Sequence, residues 1–330
     1  MTWFEDLTGF GEESPEQVRS NLLLSDNTIT SKVNGKTIRC GTLEMPALAG
    51  LRKRADGVIL SGKRLKLREV IGDVRHLHKD VANAGALFQV ASQFNLLEMT
   101  SPSVTPEQGV GIYEYDKTQG PACAIAGGAG TIYRNYFADV NGRVGQSSDN
   151  QIDCLRDFGN ALGNDAGQLW EMKNGYVLPV KDGLEKISER IGSMTEPERN
   201  ALRQTLRIGI QWNTQVTLSG CEHLVSQAYC SALPVAYSSY PHDLWAEFAQ
   251  LVLEASYEAI FWAAIINASK TGNNKLFLTL LGGGVFGNRE DWIFAAIQRA
   301  LKLFARKDLD IAFVSFRNSN PVVQELLSIQ

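Results

Sequence analysis

Lys275-Leu276-Phe277-Leu278-Thr279-Leu280-Leu281 runs directly into Gly282-Gly283-Gly284-Val285-Phe286-Gly287-Asn288. The first seven residues form a short, mostly apolar run of the kind a buried strand makes. Glu290 to Ala305 then reads as a helix, Leu309 to Phe316 as a second strand, and Pro321 to Ile329 as a closing helix with Asn320 as its N-cap. Strand, helix, strand, helix predicts a right-handed βαβ unit and a sheet containing parallel pairs. The glycine run falls at the strand-to-helix turn. Glycines let backbone N–H groups come close to a phosphate, and the helix N-terminus adds partial positive charge, so Gly282 to Gly287 is a candidate diphosphate cradle. Asn288 is expected to cap the helix, with Asp291 reciprocating. The plainer reading of the same glycines is a tight turn that needs positive φ.

Working outward, Pro241 and Asp243 open a long amphipathic helix that reaches about Ala268. Ile208 to Thr217 and Ala228 to Tyr237 read as strands, and Tyr176 to Leu206 as a charged, helix-like insertion. Asn141 to Gly167 is rich in Asn, Asp, Gly and Ser and reads as loop, whereas Gly120 to Phe137 suits a helix packed closely on a sheet. From Asn83 an apolar run ends in Gln93-Phe94-Asn95 and leads into a turn-rich segment through Gly111, which is how a buried strand delivers a ligand loop. Residues 1 to about 80 are mixed: an acidic start, a polar stretch from Ser25 to Lys36 and a basic segment from Leu51 to Arg75. They are expected to pack as an extension on the main domain. No internal repeat stands out.

At 330 residues, 44% hydrophobic and 21% charged, the composition is that of an ordinary globular protein. A formal net charge of −4 offers no general attraction for nucleic acid or an anionic membrane, so an anionic ligand needs a dedicated pocket. The acidic start lacks the basic and apolar regions of a secretory signal, and the longest apolar run, Ala259 to Ile266, is shorter than the ~20 residues a bilayer requires. A cytoplasmic protein is therefore expected. The five cysteines, Cys40, Cys123, Cys154, Cys221 and Cys230, form no CxxC pair, and reduced thiols are expected. The pair His76 and His78 has no acidic metal-binding surroundings, so neither a metal nor a cofactor is expected.

Gly282, Gly284 and Gly287 also satisfy a GxGxxG dinucleotide fingerprint. That fingerprint normally sits in the first βα turn of its domain, but only one further strand and helix follow here. The end of that strand, Val314-Ser315-Phe316-Arg317, also lacks the acid that would hold a ribose.

The order strand, Gly-Gly-Gly-Val-Phe-Gly, helix, strand ending in an aromatic, short helix resembles the closing half of macrodomains and poly-ADP-ribose glycohydrolases. The resemblance implies an α/β fold: a macrodomain-like three-layer sandwich with a mixed sheet and helices on both faces. It further implies one such catalytic domain over residues 81–330, with an insertion around 140–206 and the extension 1–80 beside it. Gly282, Gly283, Gly284, Val285, Phe286, Gly287 and Asn288 would hold diphosphate, and Phe316 would stack on adenine, although a strand phenylalanine is as readily core. Phe94 and Asn95 would face the ribose, with Glu98 as a further ribose contact and Gly109 and Gly111 in the second ligand loop.

In that second loop the paired glutamates of the poly-ADP-ribose enzymes are missing. Glu107, Glu114 and Asp116 stand there instead, in a loop similar to that of the arginine-specific, MavL-type macrodomain hydrolases. Cleaving an ADP-ribosyl bond to arginine passes through an oxocarbenium-like state, and carboxylates can position water and pair with a guanidinium. Glu107 and Asp116, with Glu114 third, are thus the candidate catalytic acids, and ADP-ribose or an ADP-ribosylated protein is the expected partner. A module that binds ADP-ribose without turnover is the alternative.

Overall fold

The computed structural model describes residues 1–60 and 64–328. Seven strands form the main sheet: β1 (Thr42–Glu44), β2 (Lys66–Ile71), β3 (Leu87–Ala91), β4 (Gly209–Gln215), β5 (Leu224–Cys230), β6 (Lys275–Leu278) and β7 (Asp310–Ser315). Their order is β1-β4-β5-β3-β6-β7-β2. The pairs β1–β4 and β4–β5 are antiparallel, and the other four are parallel. The expected α/β class, mixed sheet and parallel β6–β7 unit are all present.

Helices cover both faces. On one lies α5 (His242–Thr271), packed against α1 (Leu48–Ala55), α4 (Gly183–Gly192) and α6 (Glu290–Phe304). On the other lie α2 (Gln119–Ala126) and α3 (Gly128–Tyr136). The strand period of two sorts the side chains between these layers. Gln211, Gln227, Phe88 and Phe277 are successive cross-strand neighbours. Gln227 Nε2 donates to Cys123 O of α2 at 2.7 Å, and Phe88 stacks on Phe277 with centroids 4.4 Å apart. One residue along, Trp212 turns to the other face, where the Lys270 ammonium of α5 lies 4.6 Å from its ring centroid.

By length and composition α5 would cross a bilayer, yet 83% of its most apolar window is buried inside the protein. It is the central core helix. Its buried Glu258 is tolerated because it accepts from Arg52 Nε of α1 at 2.6 Å and from Arg299 Nη1 of α6 at 2.8 Å, and a buried carboxylate needs such partners.

Several elements differ from the sequence reading. The first 80 residues do more than pack against the sheet, since β1 and β2 are its two edge strands. The polar stretch Ser25 to Lys36 is part of a three-stranded antiparallel sheet, Leu22–Ser25, Thr28–Ser31 and Thr37–Arg39. The expected helix Gly120 to Phe137 is two helices broken at Gly127, where a Cβ would meet Gln227 Oε1 at 2.4 Å. The strand expected at Ala228 to Tyr237 begins earlier, at Leu224, and ends at Cys230. The insertion Tyr176 to Leu206 opens with a strand, Tyr176–Pro179, paired with Trp170–Lys173, before its helices begin.

The closing helix, α7 (Pro321–Ser328), starts as expected: Asn320 Oδ1 accepts the N–H of Val322 at 2.9 Å. Its expected last residue, Ile329, lies outside the described residues. Asn288 does not cap α6. The cap position is Arg289, and Asn288 Nδ2 instead donates inward to Leu233 O at 2.8 Å, while Asp291 pairs with the Arg289 guanidinium. All five cysteines are free, and four of them are buried.

Candidate functional site

The parallel strands β5, β3 and β6 are adjacent at the centre of the sheet, and the chain leaves their carboxyl ends in different directions. In open α/β sheets this is where a crevice forms. Here it is a cavity of about 310 Å³, lined at the β3 end by Ala91, Ser92 and Gln93, after β5 by Ala232, and after β6 by Thr279 to Gly282. That volume lies at the lower end of the range usual for small-molecule sites.

The β6 loop forms one wall. Gly282 and Gly287 adopt positive φ, and Gly287 N–H donates to Gly284 O at 3.0 Å and Asn288 N–H to Gly282 O at 3.0 Å, so the loop closes on itself. Among the described residues, the N–H groups of Gly284, Val285 and Phe286 donate to no protein atom. Gly284, Val285 and Phe286 line the cavity, and a Cβ built on Gly284 meets nothing within 4 Å. Consecutive free N–H groups at such a turn suit an anion. Gly283 and Gly287 belong to the turn but do not line the cavity. Phe286 also packs with Tyr176 and Tyr237, at centroid separations of 5.5 and 5.6 Å, to make an aromatic wall.

The cavity lining also carries two acids, Glu98 and Asp116. Glu98 is buried, and its Oε1 has no hydrogen-bond partner. Burial pushes its carboxyl well above the usual range; the Arg134 guanidinium opposes this, and Asp116 adds to it. Its carboxyl thus holds its proton more tightly than an exposed glutamate does, and in the protonated form it can donate a hydrogen bond. Asp116 is half-buried, and its Oδ1 accepts the N–H of Thr118 at 2.8 Å. A short 3-10 turn, Gly111–Tyr115, joins the two acids: Tyr113 lies within it, and the buried Tyr113 hydroxyl accepts the N–H of Glu98 at 3.0 Å.

Other expected residues lie elsewhere. Glu107 is exposed, and its carboxylate accepts the N–H of Ser148 at 2.7 Å. Glu114 accepts the N–H of Trp3 at 2.9 Å. Neither lines the cavity. Gly109 and Gly111 face Glu12, whose Oε2 would lie 2.4 and 2.9 Å from a Cβ at each, so these glycines make room for a carboxylate of the protein itself. Phe94 is core, and Asn95 is fully buried with its amide on Gln151 Oε1 at 2.8 Å. Phe316, 45% exposed at the end of β7, has the Arg317 guanidinium 5.0 Å from its ring centroid and does not line the cavity.

Sequence reasoning missed Gln93, Tyr176, Tyr237 and Thr279. Gln93 Oε1 accepts the N–H of Met99 at 2.6 Å, and the Tyr176 hydroxyl donates to Met99 O at 2.6 Å, fixing the segment that carries Glu98. Gln93 and Thr279 lay within stretches that carried a sequence signal, the end of the Gln93-Phe94-Asn95 run and the strand ahead of the glycine loop, whereas nothing in the sequence pointed Tyr176 or Tyr237 at a ligand. Among the described residues no group of three or more His, Cys, Asp or Glu is arranged to hold a metal ion.

No family model matches the chain, and no curated protein matches it. Among solved structures it is similar to the poly(ADP-ribose) glycohydrolase from Thermomonospora curvata, with a TM-score of 0.47 and 11% identity over 95% of each chain. It is also similar to the enzyme of that name from Deinococcus radiodurans in complex with ADP-ribose, with a TM-score of 0.47 and 10% identity over 87% of this chain and 95% of that one. A likeness of this degree carries no argument about activity, which rests on the cavity itself.

Proposed function

We propose that the chain binds ADP-ribose in the cavity between β3, β5 and β6 and hydrolyses the bond joining ADP-ribose to an arginine side chain. The observation that carries this reading is the make-up of the cavity lining, which brings three free N–H groups, at Gly284, Val285 and Phe286, into one cavity with the acids Glu98 and Asp116. The diphosphate suits the N–H groups, and the ribose and guanidinium suit the acids. With its raised affinity for a proton, Glu98 offers a hydrogen bond to a ribose hydroxyl, whereas Asp116 supplies a carboxylate to pair with the guanidinium. In the reaction the anomeric C–N bond breaks as a water oxygen bonds to that carbon. Asp116 takes the water proton, and the proton passes to the departing guanidine, which leaves as guanidinium. The candidate catalytic set is thus Asp116 and Glu98, without Glu107 and Glu114.

Turnover is tested by incubating the protein with an arginine-ADP-ribosylated protein, with glutamate- and serine-linked counterparts, and with poly(ADP-ribose), and measuring released ADP-ribose. Release from the arginine linkage alone is expected, because only a guanidinium rewards the carboxylate with paired charge-assisted hydrogen bonds. Two of the four loop acids expected near the ligand do reach the cavity and two do not, which also suits a module that binds without turnover. Calorimetric binding of ADP-ribose with no release from any substrate would support that second reading, and absence of both would sink the two together.

A further inference from the structure

Glu12, outside the cavity and far away in sequence, is built into the backbone of the loop carrying Asp116. Its Oε1 accepts the N–H of Val110 at 2.9 Å and the Tyr136 hydroxyl at 2.5 Å, and its Oε2 accepts the N–H of Gly111 at 2.6 Å. Gly111 begins the turn Gly111–Tyr115, which bears on Glu98 through Tyr113 and ends next to Asp116. The same stretch is held a second time, since Trp3 Nε1 donates to Val110 O at 3.1 Å and Glu114 accepts the Trp3 N–H. Phe4, Val18, Val110, Tyr113 and Tyr136 share one buried apolar cluster around these bonds.

From this geometry we infer that Glu12 is a positioning residue for the candidate site: its carboxylate, gripping the backbone of Val110 and Gly111, sets the turn that places Asp116 and Glu98 relative to each other. A carboxylate can accept three hydrogen bonds at once, which no neutral side chain of this size does in the same orientation. Gly109 and Gly111 admit it only because they lack a Cβ, so loop and carboxylate are fitted to each other. Reactive groups displaced by about 1 Å lose on the order of 10²-fold in rate while distant ligand contacts persist. The claim about rate rests on the hydrolase reading above; the coupling of Glu12 to the turn does not.

Glu12→Gln keeps size and removes charge, and its amide NH₂ must face one of the donating N–H groups. Hydrogen exchange read by mass spectrometry is expected to speed up at least tenfold over 109–116 and at Glu98, and to stay at the wild-type rate in the core helix 256–267. Turnover of arginine-linked substrate is expected to drop in kcat by about 10²-fold, with ADP-ribose affinity within threefold of wild type, a split that general destabilisation does not produce. Tyr136→Phe, which deletes one of the three donors, is expected to give a smaller effect of the same kind. Unchanged exchange at 109–116 in folded Glu12→Gln overturns the inference. So does accelerated exchange with unchanged kcat. A wild-type protein that shows no turnover sinks the hydrolase reading instead, and exchange alone then decides whether Glu12 governs the turn.

Discussion

Gly282→Ala and Gly284→Glu, two residues apart in one loop, are expected to fail in different assays. Gly282 has φ +76°, and a Cβ there would lie 2.4 Å from Ala232 Cβ and 2.7 Å from Asn288 Nδ2. The left-handed backbone costs an alanine ~1–2 kcal/mol. Forcing a methyl into occupied space adds ~1–3 kcal/mol. At ~2 °C per kcal/mol for a large domain, the melting temperature should fall by ~4–10 °C. At Gly284 a Cβ meets nothing within 4 Å, and the backbone is outside the left-handed region, so stability should change by no more than ~0.5 kcal/mol. Binding is another matter. A carboxylate ~5–6 Å from a phosphate at an effective dielectric of ~20 is repelled by ~3 kcal/mol, which weakens ADP-ribose by ~10²-fold before any lost N–H contact is counted. Thermal denaturation and calorimetry with ADP-ribose measure the two effects. A folded Gly284→Glu protein that binds ADP-ribose like the wild type refutes the cradle, and a Gly282→Ala protein that melts like the wild type refutes the packing account of the turn.

Three more outcomes can be checked. Asp116→Ala should reduce hydrolysis of an arginine-linked substrate by ~10²-fold while ADP-ribose binding changes little, and Glu107→Ala should stay within ~3-fold of wild type because that carboxylate is held by Ser148; comparable losses in the two would return Glu107 to the site. Burial raises the Glu98 pKa from its ordinary 4.5, so the folded protein holds its proton to higher pH than the unfolded chain does and stability declines as pH climbs above that value; Glu98→Gln should therefore gain on the wild type in melts at pH 8 but not at pH 4, and parallel curves would contradict the upward shift. His78, fully buried and depressed to about 4 mainly by desolvation, acts in the opposite direction: its contribution is present above pH 6.5 and disappears as pH falls toward 4, a loss on the order of 3 kcal/mol that denaturant titrations of wild type and His78→Asn should resolve.

Where the reading of the chain succeeded, the signals were local. The strand, glycine loop, helix and strand from Lys275 to Ser315 each carry their own period and punctuation, and the structure has them in order and in a parallel pair. The site was only partly legible. Gly284, Val285, Phe286, Glu98 and Asp116 line the cavity, but Glu107 and Glu114 looked identical to Asp116 as loop acids. What separated them was a backbone N–H at Ser148 and another at Trp3, 41 and 111 residues away.

The sequence by itself determined the α/β class, the parallel closing unit and the turn that presents free N–H groups, because these follow from residue periodicity and glycine stereochemistry within a few residues. Only the tertiary structure decided the rest. β1 and β2 are three and six residues long and exist because β4 and β7 supply their hydrogen-bond partners. Tyr176 reaches the cavity on a hairpin of an insertion, and Glu12 occupies the space beside Gly109 and Gly111 that was expected to face a ligand. The charge and exposure of a side chain depend on which groups surround it in space, and for Glu98 and Glu12 those groups come from distant parts of the chain.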